Sequence, residues 1–358
     1  MIAETIARVV AGERLSREEA YAAMLHLMRG EATDAQIAAL LTALRMRGES
    51  AQELAGFARA MRDSATAISP SAAPLVDTCG TGGDRLCTFN ISTAAALVAA
   101  GAGVFVAKHG NRGVSSACGS ADVLEALGVN IEMEPGEVQE CIETVGIGFL
   151  FAPRFHPAMR HVMRARREMG IPTAFNLLGP LANPAGVRSQ VLGVGMEGRA
   201  PLVAEALAEM GARRAMVVRG EDGMDELSMT SPSRIWEVRN GEVHDYACDP
   251  RELGMEPCTL ADLAGGSALE NARIIRDEVL AGVKGPRRDA AVLNAAAALV
   301  VAGRAGDLEE GVELARRSID SGAALQVLEK WIEFGESRAS RAEHAGAAGG
   351  EGGRDVPG

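Results

Sequence analysis

Two glycine-rich polar segments restrict the possible folds of this chain more than any other feature, because each follows a short apolar run. The first segment spans 77–84 after the apolar run 73–76, and the second spans 108–116 after the run 104–107. A stretch of helix-forming apolar residues, 94–102, lies between them. This order predicts a β-α-β unit, whose parallel strands end at the same edge of a sheet. Ligands of open α/β sheets bind at that edge.

The residue types of the two segments indicate a phosphate site. Glycine at 80, 82 and 83 lets backbone N–H groups approach an anion without a Cβ in the way. The side chains of Asn90, Ser92 and Thr93 stand where they could cap the next helix, whose unpaired N–H groups also favour an anion. The second segment supplies a dense set of donors: Lys108, His109, Asn111, Arg112, Ser115 and Ser116. One glycine-rich turn is also typical of simple packing, so the second segment is what favours a binding role.

Neither segment matches the dinucleotide pattern G-x-G-x-x-G or the P-loop pattern G-x-x-x-x-G-K-[ST]. The sequence therefore gives no support to a nucleotide-dependent oxidoreductase or to a P-loop phosphohydrolase.

The patterns along the chain predict an α/β fold in two parts. Residues 1 to about 65 contain only helical patterns, and Ser16 with Glu19 forms a capping box. These patterns predict a small all-helical N-terminal subdomain over 1–70. Its helices are expected at 2–11, 16–29 and 33–47. Strand and helix patterns alternate over 71–336, which predicts a large doubly wound, mostly parallel α/β domain. Its clearest further strands are 190–194, 215–218 and 234–238.

Two smaller expectations complete the domain organisation. Helical pieces near 155–185 are expected to pack on the helical subdomain. The segment 337–358 is rich in Gly, Ala and small polar residues, and is predicted to be a disordered tail.

The charge balance limits the partners. The chain has 36 Lys and Arg against 48 Asp and Glu, a net charge of −12, which argues against general nucleic-acid binding or attachment to an anionic membrane. An acidic protein that holds a phosphorylated ligand must concentrate cations locally, through Lys108, Arg112 or a bound metal. The six cysteines show no C-x-x-C spacing, and no signal peptide opens the chain, so we expect a cytoplasmic protein with reduced thiols.

A basic helical stretch and an irregular loop form a third candidate site. Four arginines lie on the stretch, namely Arg160, Arg164, Arg166 and Arg167. The segment 175–184 follows, and its two prolines and two asparagines predict an irregular loop. Such a row of arginines is more typical of a solvated face, but one of them turned inward could hold a carboxylate in a bidentate fork.

Adjacent carboxylates form the fourth candidate site. Asp225 and Glu226 follow the predicted strand 215–218, at the end where Mg²⁺ is usually held by one or two carboxylates and by substrate oxygens. Alone, the pair is typical of an acidic surface turn. Combined with a phosphate site in an acidic protein, it favours a metal site.

Together these motifs resemble those of the anthranilate phosphoribosyltransferases, within the nucleoside phosphorylase-like phosphoribosyltransferases. The resemblance covers residues 1 to about 335 and rests on segments 80–84, 90–93, 108–116, 119–122, 175–184 and 225–226. Pyrimidine nucleoside phosphorylases are similar in the first two segments, but they typically carry glycine at the position of Asn111 and a different pattern in place of Ser115 and Ser116.

The resemblance implies transfer of the phosphoribosyl group of phosphoribosyl pyrophosphate to the amine of anthranilate, a step of tryptophan biosynthesis. It implies a donor site that consists of Gly80, Gly83, Asp84, Thr88, Asn90, Ile91, Ser92, Thr93, Lys108, His109, Gly110, Asn111, Arg112, Gly113, Val114, Ser115, Ser116 and Ser120. Gly80, Asn111 and Arg166 would contact anthranilate, while Ser92, Asp225 and Glu226 would bind Mg²⁺, with two ions per subunit. It also implies a homodimer formed through the helical subdomain.

The chemistry of such a transfer demands little of a general base. Mg²⁺ and loop amides stabilise the charge that grows on the departing pyrophosphate, and an aromatic amine is already nucleophilic near neutral pH. Positioning should dominate catalysis. His109 is a candidate for proton removal, and a structural role fits this residue equally well.

Three positions depart from the family pattern: Arg85 and Arg219 stand where glycine and histidine are common, and Pro172 stands where arginine is common. Pro172 removes one anion contact near the acceptor site, so the acceptor is less well defined than the donor. The alternatives are a phosphoribosyltransferase with another aromatic acceptor, a pyrimidine nucleoside phosphorylase-like enzyme, and a catalytically silent binding protein on the same scaffold.

Overall fold

The computed structural model describes residues 2–113 and 118–349. The chain begins with four helices: α1 (Ile2–Val10), α2 (Arg17–Met28), α3 (Asp34–Arg47) and α4 (Ala51–Asp63). Ser16, Thr33 and Ser50 each accept a bond from the backbone three residues on, and the side chain at that position accepts one from the cap backbone. These reciprocal bonds satisfy N–H groups that a helix start leaves unpaired, and they fix where α2, α3 and α4 begin. The capping box predicted at Ser16 and Glu19 is confirmed.

A mixed sheet forms the centre of the rest of the chain. Within the described residues it has seven strands: β1 (Leu75–Gly80), β2 (Phe105–Gly110), β3 (Ile147–Phe151), β4 (Ser189–Gly193), β5 (Arg214–Gly220), β6 (Ser233–Arg239) and β7 (Glu242–Cys248). Their order is β3-β2-β1-β4-β5-β6-β7; the first five are parallel, and β6 and β7 join antiparallel. The predicted fold class, a helical subdomain with a doubly wound, mostly parallel α/β domain, is confirmed.

Helices connect the strands and cover the sheet. They are α5 (Ile91–Gly101), α6 (Ser120–Ala126), α7 (Pro135–Val145), α8 (Ala152–Phe155), α9 (Arg160–Met169), α10 (Phe175–Leu181), α11 (Ala200–Glu209), α12 (Ala268–Arg273), α13 (Pro286–Ala302), α14 (Leu308–Asp320) and α15 (Ala323–Gly349). Short 3₁₀ helices span Pro157–Met159, Pro250–Leu253 and Leu260–Leu263, and a π-helix spans Ile274–Leu280.

Two hydrophobic cores lie on the two faces of the sheet, because side chains alternate along a strand. In β5, Met216 and Val218 belong to a core shared with α5 and α13, while Ala215 and Val217 belong to a core shared with α11 and the N-terminal helices. In that second core α9 packs on α3, and α10 packs on α4. The division of the chain at residue 70 stays a prediction.

Four segments differ from their predicted structure. The strands β1 and β2 run on to Gly80 and Gly110, so Lys108 and His109 lie within a strand and not after it. The segment 175–184, predicted as an irregular loop, contains helix α10, whose residues Phe175, Leu177, Leu178 and Leu181 are buried. Burial of these apolar side chains outweighs the helix-breaking tendency of the proline within α10. Helix α15 reaches Gly349, so the predicted disordered tail begins inside a helix; residues 350–358 lie outside the described residues.

Candidate active site

The strand order places a crevice between β1 and β4. From β1 the chain winds outward through β2 to β3, and it then returns to the other side of β1 as β4. At such a reversal the connections leave in opposite directions, and a crevice opens at the carboxyl ends of the strands. The last residues of β1 and β4, Gly80 and Gly193, pair with each other there.

The acidic turn after β5 lies directly over these two glycines. A Cβ added to Gly80 would clash with the carboxylate of Asp225, and one added to Gly193 would clash with the backbone carbonyl of Asp225. The Oδ2 atom of Asp225 also accepts a 2.7 Å hydrogen bond from the backbone N–H of Gly82. The glycines are therefore required for close approach, and they bring the first glycine-rich segment to the carboxylates.

The backbone of the first segment adopts the left-handed conformation repeatedly. Gly82 and Gly83 have φ values of 66° and 84°, and Arg85 and Cys87 have φ values of 61° and 55°. Asp84 accepts a bond from the backbone N–H of Leu86, which tightens the turn. Left-handed backbone is strained for residues with a Cβ, so the Arg85 departure from glycine falls at a position where glycine is physically favoured.

Helix α5 begins at the opposite wall of the crevice. The backbone N–H of Ser92, in its first turn, donates to Oε1 of Glu226 over 3.1 Å. Ile91 and Thr93 are buried in the same turn. Asn90 occupies the cap position but makes no capping bond with its side chain, so that expected role is wrong for Asn90. The hydroxyl of Thr93 is buried and has no partner among the described residues, so it does not cap the helix either.

Lys108 of the second polar segment forms hydrogen bonds with the first polar segment and with helix α5. The residue is 1 % exposed, and Nζ donates to the Thr78 carbonyl at 2.6 Å and to the Ser92 hydroxyl at 3.4 Å. Burial lowers the pKa of Lys108, while the carboxylates of Asp77 and Glu226 oppose that shift. Lys108 thus places a cation beneath the start of α5, which an acidic protein needs at an anion site.

Asp225 and Glu226 form an electrostatically unfavourable pair unless a cation is added. Both side chains keep some contact with solvent, yet protein atoms surround their carboxyl groups on most sides. Burial and the neighbouring Asp84 raise the pKa of Asp225 to about 7. Burial and the charge of Asp225 raise the pKa of Glu226 well above its ordinary value. Gly82 and Ser92 each donate one backbone bond to the pair, and a carboxylate has several lone pairs, so acceptor capacity is left for a cation.

These oxygens fit Mg²⁺ that arrives with a ligand. Mg²⁺ prefers hard oxygen donors and often takes only one or two carboxylates from the protein. The described part of the chain contains no group of three or more His, Cys, Asp or Glu that could hold a metal alone. The two carboxylates and the Ser92 hydroxyl could therefore supply only part of a coordination shell, and the remaining ligands would have to come from substrate or water.

After the end of β2, the second polar segment lies against helix α6. The Ser120 hydroxyl lies 3.4 Å from the Asn111 carbonyl, which it contacts as a donor, and a Cβ at Gly110 would clash with that hydroxyl. Arg112 forms ion pairs with Asp122 and Glu125 on α6, and Asp122 also accepts from the N–H of Gly113. Arg112 is thus engaged by acidic side chains in this structure, not directed at the crevice. Val114, Ser115 and Ser116 lie outside the described residues.

Arg166, the expected anthranilate contact on α9, lies against the first residue of α10. The Arg166 guanidinium stacks over the ring of Phe175 at 4.7 Å, and within the described residues it makes no ion pair and no bond to Gly80 or Asn111. His109 lies against His156, with ring centroids 5.0 Å apart. Pro172 is exposed near the start of α10. The structure therefore brings Gly82, Ser92, Asp225 and Glu226 together, while the Arg166 guanidinium has no ion pair within the described residues.

The protonation of His109 follows from its surroundings. Nδ1 lies 3.1 Å from the Gly179 carbonyl, which can only accept, so Nδ1 carries the proton. Nε2 is buried without a partner among the described residues. Burial, with the adjacent His156, lowers the pKa of His109 to about 3. The ring is a neutral acceptor at Nε2 and a poor base.

Sequence reasoning missed the polar residues beneath the crevice. Asp77 is fully buried and accepts bonds from the backbone N–H of His109 and from the side chains of Asn183 and Gln190. These bonds link β1, β2, β4 and the segment after α10. Burial raises the pKa of Asp77, and Lys108 opposes the shift. The available signal was Gln190, an amide side chain inside a predicted strand, because a buried polar group needs a partner.

The remaining departure, Arg219, lies at the end of β5. Its Nη1 contacts the carbonyl of Gly220, next to the acidic turn, at 3.4 Å. Thr88 pairs with Ala264 as an isolated antiparallel bridge, which draws the first segment toward the C-terminal half of the chain.

Fold and crevice together define a glycosyl transferase. Residues 3–65 match the family model "Glycosyl transferase family, helical bundle domain", and residues 72–325 match "Glycosyl transferase family, a/b domain". Anthranilate phosphoribosyltransferase of Moorella thermoacetica is 53% identical over 336 residues, which cover 93% of this chain and 99% of that protein.

Solved structures give the same result. The crystal structure of anthranilate phosphoribosyltransferase from Thermus thermophilus has a TM-score of 0.87 and 49% identity, and the match covers 92% of this chain and 98% of that chain. The Saccharomyces cerevisiae enzyme in complex with PRPP and Mg has a TM-score of 0.86 and 30% identity, with 94% and 98% covered. The chain belongs to the anthranilate phosphoribosyltransferase family. Among the helices of residues 2–113 and 118–349, none has the length and apolar character needed to cross a bilayer.

Proposed function

We propose that this protein transfers the 5-phosphoribosyl group from phosphoribosyl pyrophosphate to the amine of anthranilate, yielding N-(5-phosphoribosyl)anthranilate and pyrophosphate. One observation carries the proposal: Asp225 and Glu226 accept backbone bonds from Gly82 and Ser92, at the crevice between β1 and β4. This joins a metal-binding pair to an anion-binding loop and to a helix N-terminus, which is what a metal-bearing pyrophosphate requires. Membership in the family supports the same reaction.

The protein's contribution to the chemistry is mainly electrostatic. The bond from the ribose carbon to pyrophosphate breaks, a bond to the amine nitrogen forms, and the amine proton passes to solvent. Negative charge grows on the leaving group beside the N–H groups of 80–84, the start of α5 and the Lys108 cation. When bound, Mg²⁺ offsets part of this charge.

In this proposal Arg166 and His109 orient the acceptor. The uncompensated Arg166 guanidinium can receive the anthranilate carboxylate in a bidentate fork. The lone pair on Nε2 of His109 can accept a hydrogen bond, but a pKa of about 3 makes proton storage there unfavourable. We therefore assign positioning, not general-base catalysis, to His109.

The test follows anthranilate fluorescence in the presence of phosphoribosyl pyrophosphate, with and without Mg²⁺. We expect consumption by the unmodified protein only with Mg²⁺, and a loss of about 100-fold or more in the variant Asp225→Asn/Glu226→Gln. Glu221→Gln, an exposed acidic residue of the same turn, is the matched control and should retain the rate. Consumption undiminished in the double variant would refute the metal assignment.

The alternative reactions are separated by the same material. Consumption of other aromatic amines but not of anthranilate would favour a different acceptor. Pro172 belongs to the acceptor half of the proposed site. Release of a base from a pyrimidine nucleoside with inorganic phosphate would favour a phosphorylase.

Three finer features are part of the proposal. We propose two Mg²⁺ per subunit, a homodimer formed through the N-terminal helices, and a cytoplasmic location. The exposed apolar side chains Val10, Met46 and Met163 on α1, α3 and α9 support the dimer. Equilibrium dialysis with phosphoribosyl pyrophosphate measures the metal count, and light scattering measures the mass; one ion or a monomer would contradict the respective feature.

A further inference from the structure

A buried amide from the C-terminal half of the chain reaches the start of α5. Asn271 lies on α12, is 1 % exposed, and is 181 residues from Asn90 in the chain. Its Nδ2 donates to Oδ1 of Asn90 over 2.9 Å, and its Oδ1 accepts from the backbone N–H of Gly266 over 2.8 Å. Both ends of the Asn271 amide are therefore used.

The segment before α12 pairs with the end of the first glycine-rich segment. The N–H of Phe89 donates to the Leu263 carbonyl, and the N–H of Gly265 donates to the Cys87 carbonyl, each over 3.0 Å. A Cβ on Gly265 would come within 2.7 Å of both the Phe89 backbone and Oδ1 of Asn271. Residues 263–266 therefore pair with the stretch before Asn90 as a short antiparallel ribbon.

The Asn271 contact fixes which way the Asn90 amide faces. With Oδ1 of Asn90 bound to Asn271, its Nδ2 is directed at the Cys118 carbonyl, to which it donates over 3.2 Å. A flipped amide would oppose two NH₂ groups at Asn271 and two oxygens at Cys118, so one orientation is strongly favoured. Asn90 lies at the start of α5, and Cys118 lies two residues after the second polar segment. These bonds therefore connect the start of α5 to the chain just after the second polar segment.

We propose that Asn271 is a positioning residue for the phosphoribosyl pyrophosphate site: it orients the Asn90 amide and so sets the distance between the start of α5 and Cys118, which follows the second polar segment, before the donor binds. The inference rests on the proposed function and deepens it. Asn271 is directed at Asn90 and not at the crevice, so it acts through other residues. A network of satisfied buried amides is stiff, and its loss should reduce pre-organisation for the donor without changing the surroundings of Arg166.

The test measures donor binding without turnover. Phosphoribosyl pyrophosphate with Mg²⁺ is titrated calorimetrically into the unmodified protein and into Asn271→Ala and Asn271→Asp, with no anthranilate present. Asn271→Asp keeps the acceptor for Gly266 but opposes an oxygen to Oδ1 of Asn90. Ser267→Ala is the matched control, since the Ser267 side chain caps the same helix by accepting from the backbone of Glu270.

We expect the donor Kd to rise about fivefold or more in both Asn271 variants, as expected for one lost hydrogen bond. Steady-state assays should show the rise in the donor KM, with kcat and the anthranilate KM within about twofold of the unmodified protein. Ser267→Ala should lower the melting temperature without changing the donor Kd. Should the alanine variant not fold, the aspartate variant decides.

Two results would overturn the inference: a donor Kd within about twofold of the unmodified protein in a folded Asn271 variant, or an equal rise in Ser267→Ala. Absence of donor binding by the unmodified protein is a different outcome, since it contradicts the proposed function, on which the role of Asn271 depends.

Discussion

Substitution of Gly193 by alanine tests whether close packing of the acidic turn on the sheet matters for donor binding. Gly193 ends β4, and its added Cβ would overlap the backbone carbonyl of Asp225 and lie 3.1 Å from the Asp225 Cα. The obstacle is backbone, so it cannot be relieved by rotating a side chain. The turn must therefore move away from β4, and Asp225 and Glu226 must move with it.

The magnitude follows from the overlap. Overpacking by one methyl group against rigid structure costs about 1–3 kcal/mol. If that strain is relieved by displacing the turn, the donor affinity should fall by about 5- to 150-fold, at about 1.4 kcal/mol for each factor of ten. Calorimetric titration of phosphoribosyl pyrophosphate with Mg²⁺ measures the change, and thermal unfolding measures the accompanying loss of stability.

Gly136→Ala is the matched control. Gly136 lies in α7 and has nothing within 4 Å of its added Cβ. Helix α7 leads into β3, an edge strand that β2 separates from the crevice between β1 and β4. Alanine there should change the free energy of unfolding by less than about 1 kcal/mol and leave donor binding unchanged. Donor affinity retained in a folded Gly193→Ala protein would refute the argument that these glycines set the position of the carboxylates.

Three further substitutions have expected outcomes. Arg85→Gly should raise the free energy of unfolding by about 0.5–1 kcal/mol, because Arg85 has φ 61° and glycine removes that strain; an unchanged or lower melting temperature would argue against strain. Arg166→Lys should raise the anthranilate KM about tenfold, because lysine cannot form the bidentate fork. Arg167→Lys, on the exposed face of α9, should leave the anthranilate KM unchanged. Equal effects of the two substitutions would contradict the assignment of Arg166 to the anthranilate carboxylate. Glu53→Ala should lower the free energy of unfolding by about 3–5 kcal/mol, because Glu53 is fully buried and is bound by Arg47 and two backbone N–H groups. Denaturant unfolding measures this loss. A loss below about 1 kcal/mol would show that the Arg47–Glu53 pair is dispensable for stability.

Local patterns predicted most of the secondary structure, because those patterns act over a few residues. Helical spacing located α1 to α3 within one or two residues, and the capping box at Ser16 located the start of α2. The strands around 215–218 and 234–238 were predicted slightly short. The pattern failed at β1 and β2, where Asp77, Lys108 and His109 lie inside strands. Polar side chains interrupt an apolar run even when partners from distant elements satisfy them.

The site was only partly predictable for the same reason. Glycines at 80, 82 and 83 and the donors after β2 indicate an anion site by themselves. The link to Asp225, however, spans 143 residues, and the residues alone favoured a surface turn there. The combination with a phosphate site in an acidic protein, and then the family resemblance, predicted a metal role for the pair, and the bonds to Gly82 and Ser92 are consistent with that prediction. Asn271 has no local signal at all, because an asparagine within a helix is ordinary until its partner is known.

The most direct test of the central claim is a crystal structure with phosphoribosyl pyrophosphate and Mn²⁺ in place of Mg²⁺, with the metal located by anomalous scattering. We expect an anomalous peak within coordinating distance of the Asp225 or Glu226 carboxylate, with the pyrophosphate against 80–84 and the first turn of α5. A donor bound elsewhere, or a metal that touches neither carboxylate, would contradict it.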